Sequence, residues 1–160
     1  MPYGTTGATA SIVVNNNGNR SAAIEVPLGK TSPGIFTIPS GGTGPGAILH
    51  ANYSPVNAAS PARRGETVLL YMTGLGAVTP AVRDGAAAPA SPLSIVSSPL
   101  TVYIGGQPAA VLFKGLAPFF AGLYQLNITI PTLSLTGPSV PLAIDTGDAF
   151  HDQVDISIVP

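Results

Sequence analysis

Cysteine and tryptophan are both absent from this sequence, and charged residues make up only 8% of it. A chain without cysteine has no disulfides and no thiolate metal sites. Only Arg63 and Arg64 are adjacent basic residues, so no patch neutralises a run of phosphates, and nucleic acid is not expected as a partner. No apolar run approaches the roughly 20 residues that cross a bilayer, so no membrane span is expected.

Long helices are also missing from the pattern. The 160 residues include 19 Gly and 17 Pro, and these are spread along the chain. Proline breaks helix interiors and glycine weakens them. Hydrophobic residues make up 45% of the chain, which is enough for the core of one domain. The composition therefore predicts many short strands joined by turns.

Strand signals recur at short intervals. Residues 8–15 are rich in β-branched side chains, residues 15–19 form a turn signal, and residues 22–28 alternate, which predicts a β-hairpin. The apolar run Thr67–Thr73 predicts a strand at the centre of a sheet. Further short strands are predicted at 35–38, 47–51, 101–104, 109–113, 124–130, 140–144 and 154–159. The pattern predicts an all-β fold, a β-sandwich with an extra N-terminal β-hairpin.

An internal repeat suggests how the chain is organised. Residues 6–14 align with residues 136–144, residues 24–27 align with 156–159, and Pro2 and Pro131 precede the two copies. We therefore expect residues 1–30 to be a hairpin that is the tail of a preceding sister module, and residues 31–160 to be the sandwich domain. A two-stranded hairpin is marginal alone, so it packs on the main domain, pairs with another chain or belongs to the preceding module. Its open edges make a homodimer through this hairpin a further expectation.

Seven groups of motifs follow one another at regular places in residues 32–160. In order, they are Ser32–Thr37, Pro61–Val68, Tyr71–Gly76, Pro80 with Asp84-Gly85, Val102–Val111, Gly115–Pro118 and Gly122–Pro131. In order and spacing these motifs resemble the Solibacter-type bacterial C-terminal domain family. The resemblance implies an immunoglobulin-like β-sandwich module at the end of a large exported protein, with a secreted or cell-surface location, no established activity and no catalytic residue to carry over.

An acidic segment near the C-terminus is the best chemical candidate. Asp145, Asp148 and Asp152, with His151 between them, suggest either a Ca²⁺ site or a solvated turn. Asp155 lies just beyond. The spacing differs from that of an EF-hand loop. A transition-metal site at His151 would need the only other histidine, His50, about a hundred residues away.

Loop aromatics are the second candidate. Tyr53 and the pair Phe119-Phe120 lie in predicted loops, where they form either a ligand-facing patch or a plug over the end of the sandwich. Sugar C–H faces pack on flat rings, so such a patch would suit a polysaccharide. Tyr71 and Tyr124 lie within apolar strands and are predicted to be core residues.

Catalytic motifs are weak throughout. The chain has no Gly-x-Ser-x-Gly elbow. Glu66 with Asp84, or Asp148 with Asp152, are formal carboxylate pairs for glycoside cleavage, although Glu66 is more simply a solvated charge at a strand start. The sequence favours a non-catalytic structural, adhesive or binding module of a bacterial exported protein, with protein or polysaccharide at the cell surface as partner. The alternatives are a polysaccharide-binding module and a small carbohydrate-active hydrolase that uses His50 or the acidic segment.

Overall fold

The computed structural model describes residues 4–160, and Pro2 of the internal repeat lies outside that range. The described residues form sixteen β-strands and no helix, which confirms the all-β prediction. No helix in this range is therefore long and apolar enough to span a bilayer. The strands are β1 (Thr9–Ile12), β2 (Asn15–Asn16), β3 (Asn19–Arg20), β4 (Ile24–Pro27), β5 (Gly34–Ile35), β6 (Gly44–Pro45), β7 (Ile48–Leu49), β8 (Ala62–Arg63), β9 (Thr67–Thr73), β10 (Val78–Thr79), β11 (Ile95–Val96), β12 (Thr101–Ile104), β13 (Gln107–Leu116), β14 (Tyr124–Thr129), β15 (Gly137–Asp145) and β16 (Phe150–Val159).

Strands β5 to β16 form one large sheet, which we describe in two parts. The first part, which we call the β9 half, is built around β9. Strand β9 pairs with β14 on one side and with both β5 and β7 on the other, so Thr67–Thr73 is central, as predicted. Strand β14 then pairs with β13, and β13 pairs with β11. Side chains alternate along β9, so that Val68, Leu70 and Met72 are fully buried on one side.

The second part, the β15 half, continues from the same long strand β13. The first residues of β13 pair with β12, whereas Ala110–Leu116 pair with β14. Strand β12 pairs with β15, β15 pairs with β16, and the short strands β6 and β8 add to β16 in parallel. One continuous strand therefore joins the two halves.

A single hydrophobic core receives side chains from both halves, which means that the sheet curls around it. Full burial of each such side chain stabilises the fold by about 1.5–3 kcal/mol. Tyr124 is buried as predicted, and its hydroxyl donates a hydrogen bond to the Gly76 carbonyl. The immunoglobulin-like sandwich is a finer statement than this all-β arrangement and stays a prediction. The largest fully buried side chains are Ile48, Leu70, Met72, Leu75, Ile104, Leu116, Leu126, Ile128, Ile130, Leu142, Ile144 and Ile158.

The predicted N-terminal hairpin forms a separate two-stranded sheet of β1 and β4, and β2 and β3 close its tip. Ile12 pairs with Ile24 and Ala10 pairs with Val26, so these four side chains lie on one apolar face. Ile12 is 42% exposed and Ile24 is 64% exposed. The hairpin therefore presents an apolar surface that the described residues leave uncovered.

The repeat places the counterparts of this apolar face in the core. Ile12 corresponds to Leu142 and Ile24 to Ile156, and both counterparts are at most 2% exposed. The two hairpins differ in register, however. Val140 pairs with Ile156, whereas Ala10, the counterpart of Val140, pairs with Val26. A shift of two residues leaves the same side chains on the same face, because side chains alternate with period two. The sister-module origin of the hairpin stays a prediction.

Candidate functional site

The outward side chains of three neighbouring strands in the β9 half form the best candidate site. Tyr71 on β9 pairs with Gln125 on β14, and Asn127 on β14 pairs with Phe113 on β13. All four are partly exposed, whereas their neighbours along β14, Tyr124, Leu126 and Ile128, are buried. We call this surface the amide–aromatic face and define it as Tyr71, Phe113, Gln125 and Asn127, with Tyr53 at its rim.

A β-bulge in β13 turns Phe113 outward. Val111 pairs with Ile128 and Phe113 pairs with Asn127, so β13 has one extra residue, Leu112, between the two pairs. A bulge of this kind reverses which side chains face the core. Lys114 consequently lies on the inner side, opposite Leu126, and its ammonium donates a hydrogen bond to the Ser98 carbonyl at 2.6 Å.

Gly115 provides the space that the Phe113 ring occupies. Position 115 pairs with Gln125 and faces outward, two residues from Phe113 on the same side. A Cβ atom at residue 115 would lie 2.8 Å from Phe113 Cζ and 2.6 Å from the Ser94 carbonyl oxygen. The ring therefore leans along the strand over Gly115, towards Gln125.

The two amides at the centre are linked to each other. Gln125 Nε2 donates a hydrogen bond to Asn127 Oδ1 at 2.8 Å. The side-chain oxygen of Gln125, Oε1, and the side-chain nitrogen of Asn127, Nδ2, have no further protein partner within residues 4–160. The pair thus offers both donors and acceptors to hydroxyl groups of a ligand.

Tyrosines form the edge of the face on the β9 side. Tyr71 was predicted to be a core residue, but it is only partly buried, because its position in β9 alternates with the core positions 70 and 72. Partial burial raises the pKa of the Tyr71 hydroxyl, and the nearby Tyr53 adds to that increase in pKa. The Tyr53 side chain is 68% exposed. Tyr53 lies in a turn that begins at His50, and its backbone N–H closes this turn by donating to the His50 carbonyl at 2.9 Å. None of the five residues of the face carries a charge at neutral pH.

His50 and Glu66 form the closest ion pair of the described residues. His50 Nδ1 lies 2.5 Å from Glu66 Oε1, and Glu66 Oε2 accepts the Arg63 backbone N–H at 2.8 Å. His50 Nε2 lies 3.1 Å from the Ser60 carbonyl oxygen and 3.2 Å from Ser60 Oγ. The hydrogen bond to Glu66 raises the pKa of His50, against the opposing effect of burial.

This Ser60–His50–Glu66 arrangement resembles a hydrolytic triad in connectivity only. A carbonyl oxygen and a carboxylate can only accept, so the cationic ring satisfies both neighbours, and in that form neither ring nitrogen is free to act as a base. The backbone N–H of Ser60 donates to Asn57 Oδ1 at 2.9 Å, and so does that of Ala59. These two amides are therefore not available to an oxyanion, which a serine hydrolase must stabilise. The geometry favours a structural role, in which His50 links the Ser60 loop to Glu66.

The acidic segment is divided between two surroundings. Asp148 accepts hydrogen bonds from the Thr31 hydroxyl at 2.5 Å and from the Thr31 backbone N–H at 3.1 Å. The bond from the hydroxyl is the main reason that the pKa of Asp148 is lowered. Thr31 itself is buried, with 5% of its surface exposed. Through these two hydrogen bonds, Asp148 attaches the segment after the N-terminal hairpin to the β15–β16 turn. The sequence gives no signal for this pairing across more than a hundred residues.

Asp145 and Asp152 instead line a shallow cavity of about 470 Å³ on the outer side of the β15 half, with Tyr103 and Phe150. His151 is not among its lining residues. Its Nδ1 atom is buried without a hydrogen-bond partner in the described part of the chain. Within residues 4–160, no three His, Asp or Glu side chains lie close enough together to hold a metal ion. The calcium site at Asp145, Asp148, His151 and Asp152 stays a prediction that the geometry does not favour.

The three predicted loop aromatics lie in different places. Tyr53 follows β7, which pairs with β9. Phe119 and Phe120 are 77% and 57% exposed in the β13–β14 connection, where their backbone groups bond to Ala88. These positions lie on opposite sides of β9, and Tyr53 is near enough to Tyr71 to raise the pKa of the Tyr71 hydroxyl. Sequence reasoning missed Phe113, Gln125 and Asn127, although the polar residues at 125, 127 and 129 alternate with apolar ones and mark an outward face.

No family model, curated protein or solved structure matches the chain in comparisons with known proteins. The resemblance of residues 32–160 to a bacterial C-terminal domain family therefore stays a prediction.

Proposed function

We propose that the chain is a non-catalytic binding module of a bacterial exported or cell-surface protein, and that it binds a neutral polysaccharide through the amide–aromatic face. The observation that carries this proposal is the cross-strand register. It sets Tyr71 beside Gln125 and Asn127 beside Phe113 on one uncharged outer surface. Phe119 and Phe120 are not needed for this binding.

The chemistry of the face suits a sugar chain. Aromatic rings pack against the C–H faces of sugar rings, and amide groups exchange hydrogen bonds with hydroxyls. Strands β9 and β13 are two strand spacings apart, or roughly 10 Å, so the face is wide enough for an extended ligand. Because the face has no charged group, it offers no ion pair to an acidic or basic glycan.

Binding to insoluble polysaccharides tests the proposal. Purified protein is mixed with a panel of neutral and charged insoluble glycans, and protein depletion and soluble sugar release are measured in the same tubes. We expect depletion by a neutral glycan without sugar release. Loss of an aromatic contact of about 1.4 kcal/mol corresponds to a tenfold weaker affinity, so Tyr71→Ala should weaken binding about tenfold.

Phe119→Ala is the matched control, since it removes an equally large exposed ring outside the face. The proposal is wrong if no glycan depletes the folded protein. It is also wrong if Phe119→Ala abolishes binding while Tyr71→Ala leaves it intact.

A second function, contact with another protein, is favoured by the N-terminal hairpin. Ile12, Val14 and Ile24 are between 42% and 64% exposed on the described chain. Exposed apolar patches mark protein–protein contacts more often than isolated apolar residues do. A second copy of the chain is the partner that the sequence predicts, and the oligomeric state of an Ile24→Thr variant tests it.

A further inference from the structure

The ion pair between His50 and Glu66 is held on its acidic side by a rigid turn. The Glu66 N–H donates to the Arg63 carbonyl at 3.0 Å, and the Glu66 carbonyl accepts from the Ile130 N–H at 2.8 Å. The carboxylate itself bonds to the Arg63 N–H. Glu66 therefore provides a fixed anchor at the start of β9.

On its other side, the His50 backbone controls the position of Tyr53. The His50 carbonyl accepts the Tyr53 N–H, and the His50 N–H donates to the Ser54 carbonyl, both at 2.9 Å. Tyr53 has a φ of 66°, which is unusual for a residue with a side chain and requires support from its surroundings. Strand β7 attaches this turn to β9, and the His50 ring adds a second link, from the turn that presents Tyr53 to Glu66 at the start of β9.

The charged groups around the ring are few. Glu66 is the carboxylate that bonds to it, and Arg63 contributes a backbone N–H to Glu66. The Arg64 guanidinium donates to the Ser134 carbonyl at 2.5 Å and so is engaged elsewhere. Ser60 completes the surroundings with its carbonyl and hydroxyl oxygens. Both sides of the ring thus favour its cationic form.

We propose that His50 is a positioning residue for the amide–aromatic face: its cationic ring holds the turn that presents Tyr53, so glycan binding weakens when the ring loses its proton. This inference rests on the proposed polysaccharide binding. The hydrogen bond to Glu66 raises the pKa of His50 above its ordinary value of 6.5. A group with a raised pKa contributes fully below its ordinary pKa, and that contribution is lost as the pH rises through the raised value. Binding should therefore be strongest in mild acid and fall on the alkaline side.

The test combines a binding profile with a readout that needs no ligand. Affinity for the glycan is measured from about pH 5 to about pH 9, a range that brackets histidine titration. We expect the affinity of the wild type to fall roughly threefold to tenfold with rising pH, because the hydrogen bond from His50 to Glu66 loses its charge assistance when the ring loses its proton. His50→Gln and Tyr53→Ala should each bind weakly and without this pH dependence. His151→Gln, which changes the other histidine, should retain the wild-type profile.

The second readout is the NMR signal of the Tyr53 amide, followed in the free protein over the same range. It should shift with the titration of the His50 ring in the wild type, and this coupling should be lost in Glu66→Gln. A Tyr53 amide that ignores the His50 titration overturns the positioning role, whether or not a glycan binds. So does binding that is independent of pH, or a His50→Gln variant with the wild-type profile. Coupling between His50 and Tyr53 without glycan binding at any pH instead refutes the proposed function and leaves the positioning of the turn in place.

Discussion

Replacing Gly115 with alanine tests the idea that this residue makes room for the Phe113 ring on the amide–aromatic face. The backbone at 115 does not require glycine for its conformation, so any cost of the substitution comes from contacts. The added Cβ would lie 2.8 Å from Phe113 Cζ and 2.6 Å from the Ser94 carbonyl oxygen. The ring can rotate away, but the carbonyl is fixed because it accepts the Leu116 N–H at 2.9 Å.

Overpacking of this kind costs about 1–3 kcal/mol. For a domain of this size, each kcal/mol shifts the melting temperature by roughly 2–4 °C. Gly115→Ala should therefore lower the melting temperature by about 2–12 °C, measured by calorimetry. It should also weaken glycan binding, because the ring is displaced from the face. The control is Gly41→Ala, where a Cβ meets nothing within 4 Å and the backbone is not in the left-handed region. That variant should stay within about 0.5 kcal/mol of the wild type.

A double-mutant cycle with Phe113→Ala isolates the contact itself. When the ring is absent, Gly115→Ala should cost less, with a coupling free energy of at least about 0.5 kcal/mol. If the destabilisation of the double variant equals the sum of the two single variants within about 0.3 kcal/mol, the packing of Phe113 over Gly115 is refuted. A Gly115→Ala variant as stable as the Gly41→Ala control would refute the close contact altogether.

Two further predictions concern the N-terminal segment. Thr31→Val removes the hydroxyl that lowers the pKa of Asp148, so it should destabilise the protein near neutral pH, as measured by urea unfolding. This difference in stability should shrink as the pH falls through the lowered pKa of Asp148, because protonation of Asp148 weakens the same interaction in the wild type. The hydrogen bond between the Thr31 and Thr146 hydroxyls does not titrate, so part of the difference remains. A difference that does not shrink at all would contradict the assignment. We expect the wild type to dimerise through the exposed apolar face of the hairpin. Ile24→Thr keeps a strand-forming residue but makes this face polar, so the variant should be more monomeric than the wild type in light scattering. A wild type that is strictly monomeric would contradict self-association through the hairpin.

Local patterns in the sequence were sufficient for most of the strands. The apolar run at 67–73 became the central strand β9, and the segments near 101, 124, 140 and 154 became β12, β14, β15 and β16. The turn signal at 15–19 closed the predicted hairpin. These predictions succeeded because strand and turn preferences depend on residues that are close together along the chain.

Placement of side chains on a face was harder to predict. Tyr71 was predicted to be buried because it lies in an apolar run, yet a strand at the centre of a sheet still has an outer side, and Tyr71 is on it. The direction of Phe113 depends on the bulge at Leu112, which exists only through the pairing of β13 with β14. Neither the bulge nor its location has a marker in the sequence of β13.

The sequence by itself determined that this protein is an all-β chain with an N-terminal hairpin, since composition, alternation and turn residues act locally. Only the tertiary structure decided which distant residues come together: it places Tyr53 near Tyr71, and it bonds His50 to Glu66 and Thr31 to Asp148. The partners of the ion pair are 16 residues apart along the chain, and Thr31 and Asp148 are 117 residues apart. The position of Tyr71 on the outer side of the sheet depends on strand register. Register and loop proximity come from long-range pairing around the core, and that information is distributed over the whole chain rather than written in any one motif.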